Sequence, residues 1–341
     1  MKHIFQVFSP LTFYISKRII EVKQLDLNNC ILLLTRDYKI PKKYDSLFEN
    51  QIHTSYNVSE KEGRIFAGWK FWKTKKNIKE FENKIDKYLH NNQFIWYCSV
   101  CSNDICSLMV THRNCVGYYI TEDGMSSYRD FNPKTFTGAK ALIYKYILNV
   151  FYHRLFAVKD YFIYTDNPKF RGCIATNEKC FPLHRQYIEV IGMPFEEAHL
   201  DIIPDAVISI EPNFEHIENN VILQLYNKLA EIIKKKQYKH IAYKFHPVFN
   251  AQVNIEIKKQ YEIMLQQIFG KDLIEIDSDQ SLESILITYK SDFYTGNSSV
   301  AIYASTAGTK CYSFIDFLCK KADYYKQFRC LMYDFCTIIE I

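Results

Sequence analysis

Runs that read as β-strands alternate with runs that read as helices, twice over. That alternation restricts the chain to an α/β architecture whose sheets are mainly parallel and covered by helices. The first round starts with a strand at 4–8, then Ser9-Pro10, a good N-cap with proline at the first helical position. A helix follows through Phe13, Ile15, Ile19 and Ile20, then a strand at Cys30–Thr35, a long amphipathic helix over about 67–90 and a strand at 94–100. A helix near 103–112, the strand Gly117–Thr121 and a helix over about 134–153 complete it. The second round reads as strand Ala206–Ile210, helix 219–236, strand 240–245, helix 254–268, strand Leu273–Ile276, helix 281–289, strand Phe293–Thr295 and helix 299–306. Between the rounds lie two strand candidates, Tyr161–Tyr164 and Tyr187–Ile191, around a loop-like stretch with Asn167-Pro168, Gly172 and Pro182. The domain junction is placed there, with a first domain at 1–157 and a second at 158–341. The aromatic segment 322–341 is expected to start as a helix, as a tail able to pack back on the first domain.

A length of 341 residues favours two domains of ordinary size. With 48% hydrophobic and 24% charged residues the chain can bury a large core and is not globally disordered. The 43 basic and 38 acidic residues leave a formal charge of +5, which suits an anionic ligand and does not mark a nucleic-acid binder. The sharpest basic run, Lys70-Phe71-Trp72-Lys73-Thr74-Lys75-Lys76, reads first as a solvated helix face and second as a patch that meets phospholipid or acidic glycolipid. Met1-Lys2-His3 and the short apolar run after it do not form a signal peptide, and no stretch approaches a membrane span. An odd count of 11 cysteines at irregular spacing points to reduced thiols. Cys98-Ser99-Val100-Cys101 has half the spacing of a zinc site, but Cys98 lies in the apolar run Phe94–Cys98 and reads as core.

The chemistry-bearing residues stand at strand ends, where open α/β sheets bind ligands. Glu122-Asp123-Gly124 follows the strand Gly117–Thr121 and puts two carboxylates beside a glycine where the chain turns. One of them could act as general base, its neighbour raising its pKa; a solvated acidic turn is the plain alternative. Lys244-Phe245-His246-Pro247 ends the strand at 240–245; positions i and i+2 share a face, so Lys244 and His246 could meet one phosphate. The plain alternative is a surface histidine. Gly296-Asn297-Ser298-Ser299 joins a strand to a helix, as an anion site or an ordinary N-cap. Glu283, in Ser281-Leu282-Glu283-Ser284, could accept a base's exocyclic amine or simply suit a helix's first turn. Asp277-Ser278-Asp279 reads as a polar turn rather than a metal-nucleotide signal.

In that order these motifs resemble the bacterial sialyltransferases that share a D/E-D/E-G motif, an HP motif and a later serine pair. Among them the chain looks most like glycosyltransferase family 52, the lipooligosaccharide and surface-polysaccharide group. Phe8-Ser9-Pro10-Leu11-Thr12, with Ile15-Ser16-Lys17-Arg18-Ile19-Ile20, resembles that family's opening strand, turn and helix. The resemblance implies a GT-B-type fold, two Rossmann-like domains with a deep interdomain cleft, the first for acceptor and the second for CMP. It implies an inverting, metal-independent transfer of sialic acid from CMP-sialic acid, without cofactor, to a galactose-terminated or lipid-linked glycan.

Carried over to this chain, Asp123 is the general base and Glu122 its companion, while His246 stabilises or protonates the departing phosphate. Lys244 and Pro247 support the nucleotide, Glu283 reads the cytosine amine, and Gly296, Asn297, Ser298 and Ser299 hold the CMP phosphate. Ser9, Pro10 and Gly124 fall on the acceptor side, and no metal site is expected. Two positions depart from the pattern: Leu282 replaces the aromatic residue before the glutamate, and the acidic motif is the least uniformly placed of the set. The expected location is the cytoplasm, with a peripheral contact to the inner membrane and a homodimer left open. The alternatives are a CDP-glycerol glycerophosphotransferase or Kdo transferase type, and a non-catalytic glycan-assembly subunit.

Overall fold

The structure is a computed structural model and describes residues 1–35, 38–54, 69–99, 104–128, 167–250, 254–278 and 280–341. It divides into two compact units, Met1–Pro194 and Phe195–Ile341.

The first unit is built on a seven-stranded sheet: β1 (Lys2–Val7), β2 (Cys30–Leu34), β3 (Gln51–His53), β4 (Phe94–Cys98), β5 (Cys115–Thr121), β6 (Phe170–Ala175) and β7 (Ile188–Val190). Its order is β3-β2-β1-β4-β5-β6-β7, and all the pairings are parallel. Every residue of β2 is buried, as expected for a parallel strand with both faces covered. Helix α1 (Pro10–Val22) begins where the sequence predicts. Ser9 Oγ accepts from the Thr12 amide, and Thr12 Oγ1 accepts from the Ser9 amide, which satisfies two donors that a helix start otherwise leaves orphaned. Helices α2 (Trp69–Leu89) and α3 (Asp104–Val110) follow. Aromatic side chains fill the core as stacks: Phe5 on Tyr97 with ring centroids 4.3 Å apart, and Tyr97 on Tyr119 at 5.3 Å. Lys23 Nζ lies 5.0 Å from the Tyr119 ring and also binds Glu189 at 2.6 Å, pinning the end of α1 to β7.

The second unit holds a six-stranded parallel sheet in the order β10-β9-β8-β11-β12-β13. Its strands are β8 (Ala206–Ile210), β9 (Ile241–Phe245), β10 (Ile274–Glu275), β11 (Asp292–Thr295), β12 (Cys311–Ser313) and β13 (Thr337–Ile338). Helices α4 (Asn219–Lys234), α5 (Ile255–Phe269), α6 (Leu282–Tyr289), α7 (Val300–Thr306), α8 (Ile315–Lys321) and α9 (Arg329–Phe335) connect them. In α4 the buried residues Ile222, Leu225, Tyr226, Leu229, Ala230 and Ile233 recur three and four apart, so one stripe faces the core.

Two sequence expectations are corrected. Phe170–Ala175 is a strand although it reads as loop, because Gly172 (φ 139°) sits at a register shift against β5, and glycine takes that conformation without strain. Strands β6 and β7 therefore complete the first sheet, and the division falls at Pro194–Phe195 rather than 157/158. The tail is helical at first, as expected, through the turn Asp323–Phe328 and α9, and β13 then pairs with β12 through Tyr312–Thr337 and Ser313–Ile338, inside the second sheet. The helix expected at 134–153 and the strand at Tyr161–Tyr164 lie outside the described residues, as do Cys101 and Asp279. Cys98 is buried, 3.5 Å from Cys106 Sγ, in line with its reading as core. No helix among the described residues is long and apolar enough to cross a membrane.

Candidate active site

Parallel sheets bring all their strand ends to one edge, and a crevice opens where the strand order reverses. In the second sheet that point lies between β8 and β11, because the chain steps from β8 to β9 and β10 on one side, then from β11 to β12 and β13 on the other. The residues gathered there and on the neighbouring β9 edge are Glu211, His246 and the loop Gly296–Ser299.

His246 follows β9, and its amide donates to the Ile210 carbonyl at 2.9 Å. Its Nδ1 accepts the Val248 amide at 3.2 Å, so the ring proton sits on Nε2. The short turn Pro247–Asn250 returns Val248 beneath the ring and fixes that tautomer. The ring edge reaches solvent, yet surrounding protein removes enough hydration to push the imidazole below its ordinary value, against the opposing pull of Glu215. The result is a neutral imidazole that presents an N–H donor. Lys244 Nζ donates to the Asp277 carbonyl, which ties β9 to the loop after β10. Across that loop, Ser281 caps α6, and its hydroxyl donates to Glu283 Oε2 at 3.0 Å. Burial raises the pKa of Glu283, opposed by its own amide, the Ser281 hydroxyl and Lys244.

Glu211 is the residue that sequence reasoning passed over. It directly follows β8, is 6% exposed, and gathers hydrogen bonds from the Ser209 and Thr295 hydroxyls and from the Gly296 amide at 3.0 Å. The Asn297 amide also points to it, and burial pushes its pKa up. The signal was present: a single carboxylate closing the fully buried strand Ala206–Ile210, apolar but for Ser209, and followed by Pro212. Its effect corrects the expected anion loop. The Gly296 and Asn297 amides serve an internal carboxyl, the Ser298 amide bonds Thr295 Oγ1 at 3.1 Å, and Ser298 Oγ accepts from Val300 at 3.3 Å. The Ser299 hydroxyl does not cap α7. The Ser299 hydroxyl, the Asn297 side-chain amide and the proton of the Ser298 hydroxyl, which only accepts from Val300, are groups of this loop that can meet a ligand.

In the first unit the switch in order falls between β1 and β4. Here Gln6 is 2% exposed and neither amide atom is hydrogen-bonded. At the end of β5 the two adjacent carboxylates point to different surroundings, as alternation along a strand requires. Glu122 has no exposed surface; it accepts from the Tyr128 hydroxyl at 2.7 Å and from the Thr176 amide at 2.7 Å. This places it inside the unit as a clamp between β5 and the end of β6, not beside an acceptor. Asp123 is half-buried, its backbone locked by Ser127 Oγ on the amide (2.7 Å) and Ser126 Oγ on the carbonyl (2.6 Å). Gly124 takes φ 52°, which suits glycine at this tight turn. Ser9 spends its hydroxyl on the α1 cap and Pro10 is exposed, so their observed work is to start a helix. Among the described residues, no group of three or more His, Cys, Asp or Glu side chains is arranged to hold a metal ion.

No family model matches the chain, and no curated protein matches it in sequence. Solved structures do match in fold. A sialyltransferase from Photobacterium damsela superposes with a TM-score of 0.55 at 11% identity, over 99% of this chain and 82% of that one. UDP-GlcNAc 2-epimerase from Methanocaldococcus jannaschii gives 0.52 at 11% identity, over 99% and 89%. The S. aureus MnaA structure with UDP gives 0.53 at 10% identity, over 92% and 79%. At such identities the likeness establishes architecture alone: two parallel α/β units of the GT-B type, here with seven and six strands.

Proposed function

We propose that the protein is an inverting, metal-independent sialyltransferase that moves sialic acid from CMP-sialic acid to a terminal sugar, galactose by expectation, of a lipopolysaccharide, lipooligosaccharide or other surface glycan. The observation that carries this reading is His246. Val248 occupies its Nδ1 and leaves Nε2 as the donor, at the carboxyl edge of the second parallel sheet, which supports a role in stabilising charge on a departing phosphate. Its lowered pKa favours the neutral ring, which donates a hydrogen bond through Nε2–H. The Ser299 hydroxyl and the Asn297 side chain add donors on the loop after β11, at the same sheet edge, and Lys244 contributes positive charge. Glu283, oriented by Ser281, keeps a carboxyl oxygen to accept a cytosine amine in either protonation state.

Asp123 is the general base toward the acceptor hydroxyl, on a turn whose backbone is locked on both sides. Glu122 supports it by fixing the end of β5, a role revised from companion acid to clamp. CMP is a good leaving group and the transition state is oxocarbenium-like, so alignment and anion stabilisation carry most of the rate. The fold shared with the Photobacterium damsela sialyltransferase supports this reading. A fold of this type is also shared with UDP-GlcNAc 2-epimerases, which makes the donor the decisive question.

The test is a donor panel of CMP-sialic acid, CMP-Kdo, CDP-glycerol and UDP-GlcNAc, each with a galactoside acceptor, with nucleotide release followed chromatographically. CMP release from CMP-sialic acid with formation of a sialylated galactoside is expected. Consumption of another donor with CMP-sialic acid untouched overturns the reading.

A further inference from the structure

Mononucleotide-type sheets leave their order-reversal crevice for a ligand's anion, and backbone amides there are its usual partners. In the second unit that position is already filled from inside the chain. Between the ends of β8 and β11, the buried carboxyl of Glu211 receives the Gly296 amide at 3.0 Å, the Asn297 amide, and the hydroxyls of Ser209 and Thr295. The same corner carries His246, because the peptide bond that joins Ile210 to Glu211 offers its carbonyl to the His246 amide at 2.9 Å. Thr295 extends the network by accepting the Ser298 amide at 3.1 Å.

We infer that Glu211 is a positioning residue for the nucleotide site of the proposed transferase: it holds the loop Gly296–Ser299 and the backbone ahead of His246 in one frame, and so moves the ligand's phosphate outward onto Ser299, Asn297 and His246. The proposal rests on the reading of this edge as a nucleotide site.

Three further observations agree. The loop can approach Glu211 this closely only because residue 296 lacks a side chain: a Cβ there would lie 2.9 Å from Glu211 Oε2 and 2.6 Å from Leu318 Cδ1. A carboxylate next to a phosphate site would repel the ligand if ionised, and full burial favours the neutral acid, although the four hydrogen bonds pull the other way. The corner is also braced from behind, where Tyr325 donates to Asn213 Oδ1 at 2.8 Å just beyond Glu211 in sequence.

The test compares wild type, Glu211→Gln, Glu211→Ala and Thr295→Val by calorimetric titration with CMP and with UDP, each protein first shown folded by near-UV circular dichroism. Glutamine can present its oxygen to the two amides and its NH2 to the two hydroxyls, so E211Q is expected to bind CMP within about threefold of wild type. E211A, which leaves buried amides unpaired and the loop untied, is expected to weaken CMP by about tenfold or more. The weakening should appear in KM for the donor more than in kcat, which a general loss of stability would not produce.

A folded E211A with wild-type affinity overturns the inference, and so does an E211Q as weak as E211A. If E211A does not fold, T295V decides. It removes one hydroxyl from the network and is expected to weaken CMP about threefold or more; wild-type affinity in T295V overturns the inference. Binding of UDP but not CMP by the wild type would refute the donor assignment alone, and the same variants would then be compared with UDP.

Discussion

Glu122 and Asp123 are neighbours in sequence with opposite expected phenotypes, and replacing each by alanine separates a structural carboxylate from a reacting one. Glu122→Ala removes the acceptor of two buried donors, the Thr176 amide and the Tyr128 hydroxyl, each at 2.7 Å. A buried donor left without a partner costs about 1–3 kcal/mol. Tyr128 loses its nearest acceptor but keeps the Asn177 side-chain donor at 2.6 Å and Thr176 Oγ1 at 3.4 Å, so the Thr176 amide bears the main loss. The loss at the Thr176 amide amounts to about 1–3 kcal/mol, a large share of the roughly 5–15 kcal/mol that holds a domain folded. For a unit of this size about 3 kcal/mol lowers the melting temperature by roughly 6–12 °C. Asp123 is half-buried and its turn is held through backbone atoms, so Asp123→Ala is expected to move the midpoint by less than about 1 kcal/mol while abolishing turnover. Differential scanning calorimetry and a turnover assay on both variants decide the matter. A Glu122→Ala protein with a wild-type midpoint and the same kinetic defect as Asp123→Ala would refute the division of roles.

Other expectations follow from single contacts. Gly296→Ala forces a Cβ to within 2.6 Å of Leu318 Cδ1 and 2.9 Å of Glu211 Oε2, so it is expected to destabilise by about 1–3 kcal/mol in urea unfolding and to weaken nucleotide binding. Gln6→Met removes two unpartnered buried polar atoms at nearly constant shape and is expected to stabilise the first unit by about 1–2 kcal/mol; a loss of stability would show that Gln6 is hydrogen-bonded in solution. The folded pKa of His246 is depressed below its unfolded value, so its contribution to stability is present above about pH 6.5 and declines as pH falls toward the folded value. Nitrogen NMR should find the Nε2–H tautomer at neutral pH, and a charged imidazolium there would contradict the assignment. The Glu211 carboxyl has the reverse sign. Its folded pKa is raised, so the unfolded state binds fewer protons and stability falls as pH rises from about 4.5 through the folded value. Urea midpoints of E211Q should lack that decline; the same slope in both proteins would contradict it.

Much of this architecture is legible in the sequence because parallel strands buried on both faces appear as apolar runs, unbroken in Cys30–Leu34 and interrupted only by Ser209 in Ala206–Ile210. The helix starts at Ser9 and Ser281 are legible for a local reason, since a cap is written in the capping residue and the one three positions on. Three of the short strands are not legible. Gln51–His53, Cys311–Ser313 and Thr337–Ile338 have two or three residues each and exist only through their neighbours' hydrogen bonds. Motif reading found the strand-end residues around His246 and Asp123 but not what each side chain binds. It gave Glu122 and the Gly296–Asn297 amides to ligands, whereas the fold uses them internally, and it missed Glu211, two of whose partners, Thr295 and Gly296, lie more than 80 positions away in sequence. A carboxylate's role depends on the donors that long-range packing brings to it, and no local pattern encodes those.

The most direct test of the central claim is transfer of radiolabelled sialic acid from its CMP donor to a galactoside, measured with wild type, Asp123→Asn and His246→Gln beside CMP affinities for the same proteins. The account predicts label in the glycan product for wild type, loss of turnover with unchanged CMP affinity for Asp123→Asn, and weakened CMP binding for His246→Gln. Full transfer by Asp123→Asn, or wild-type protein that leaves CMP-sialic acid intact, would contradict it.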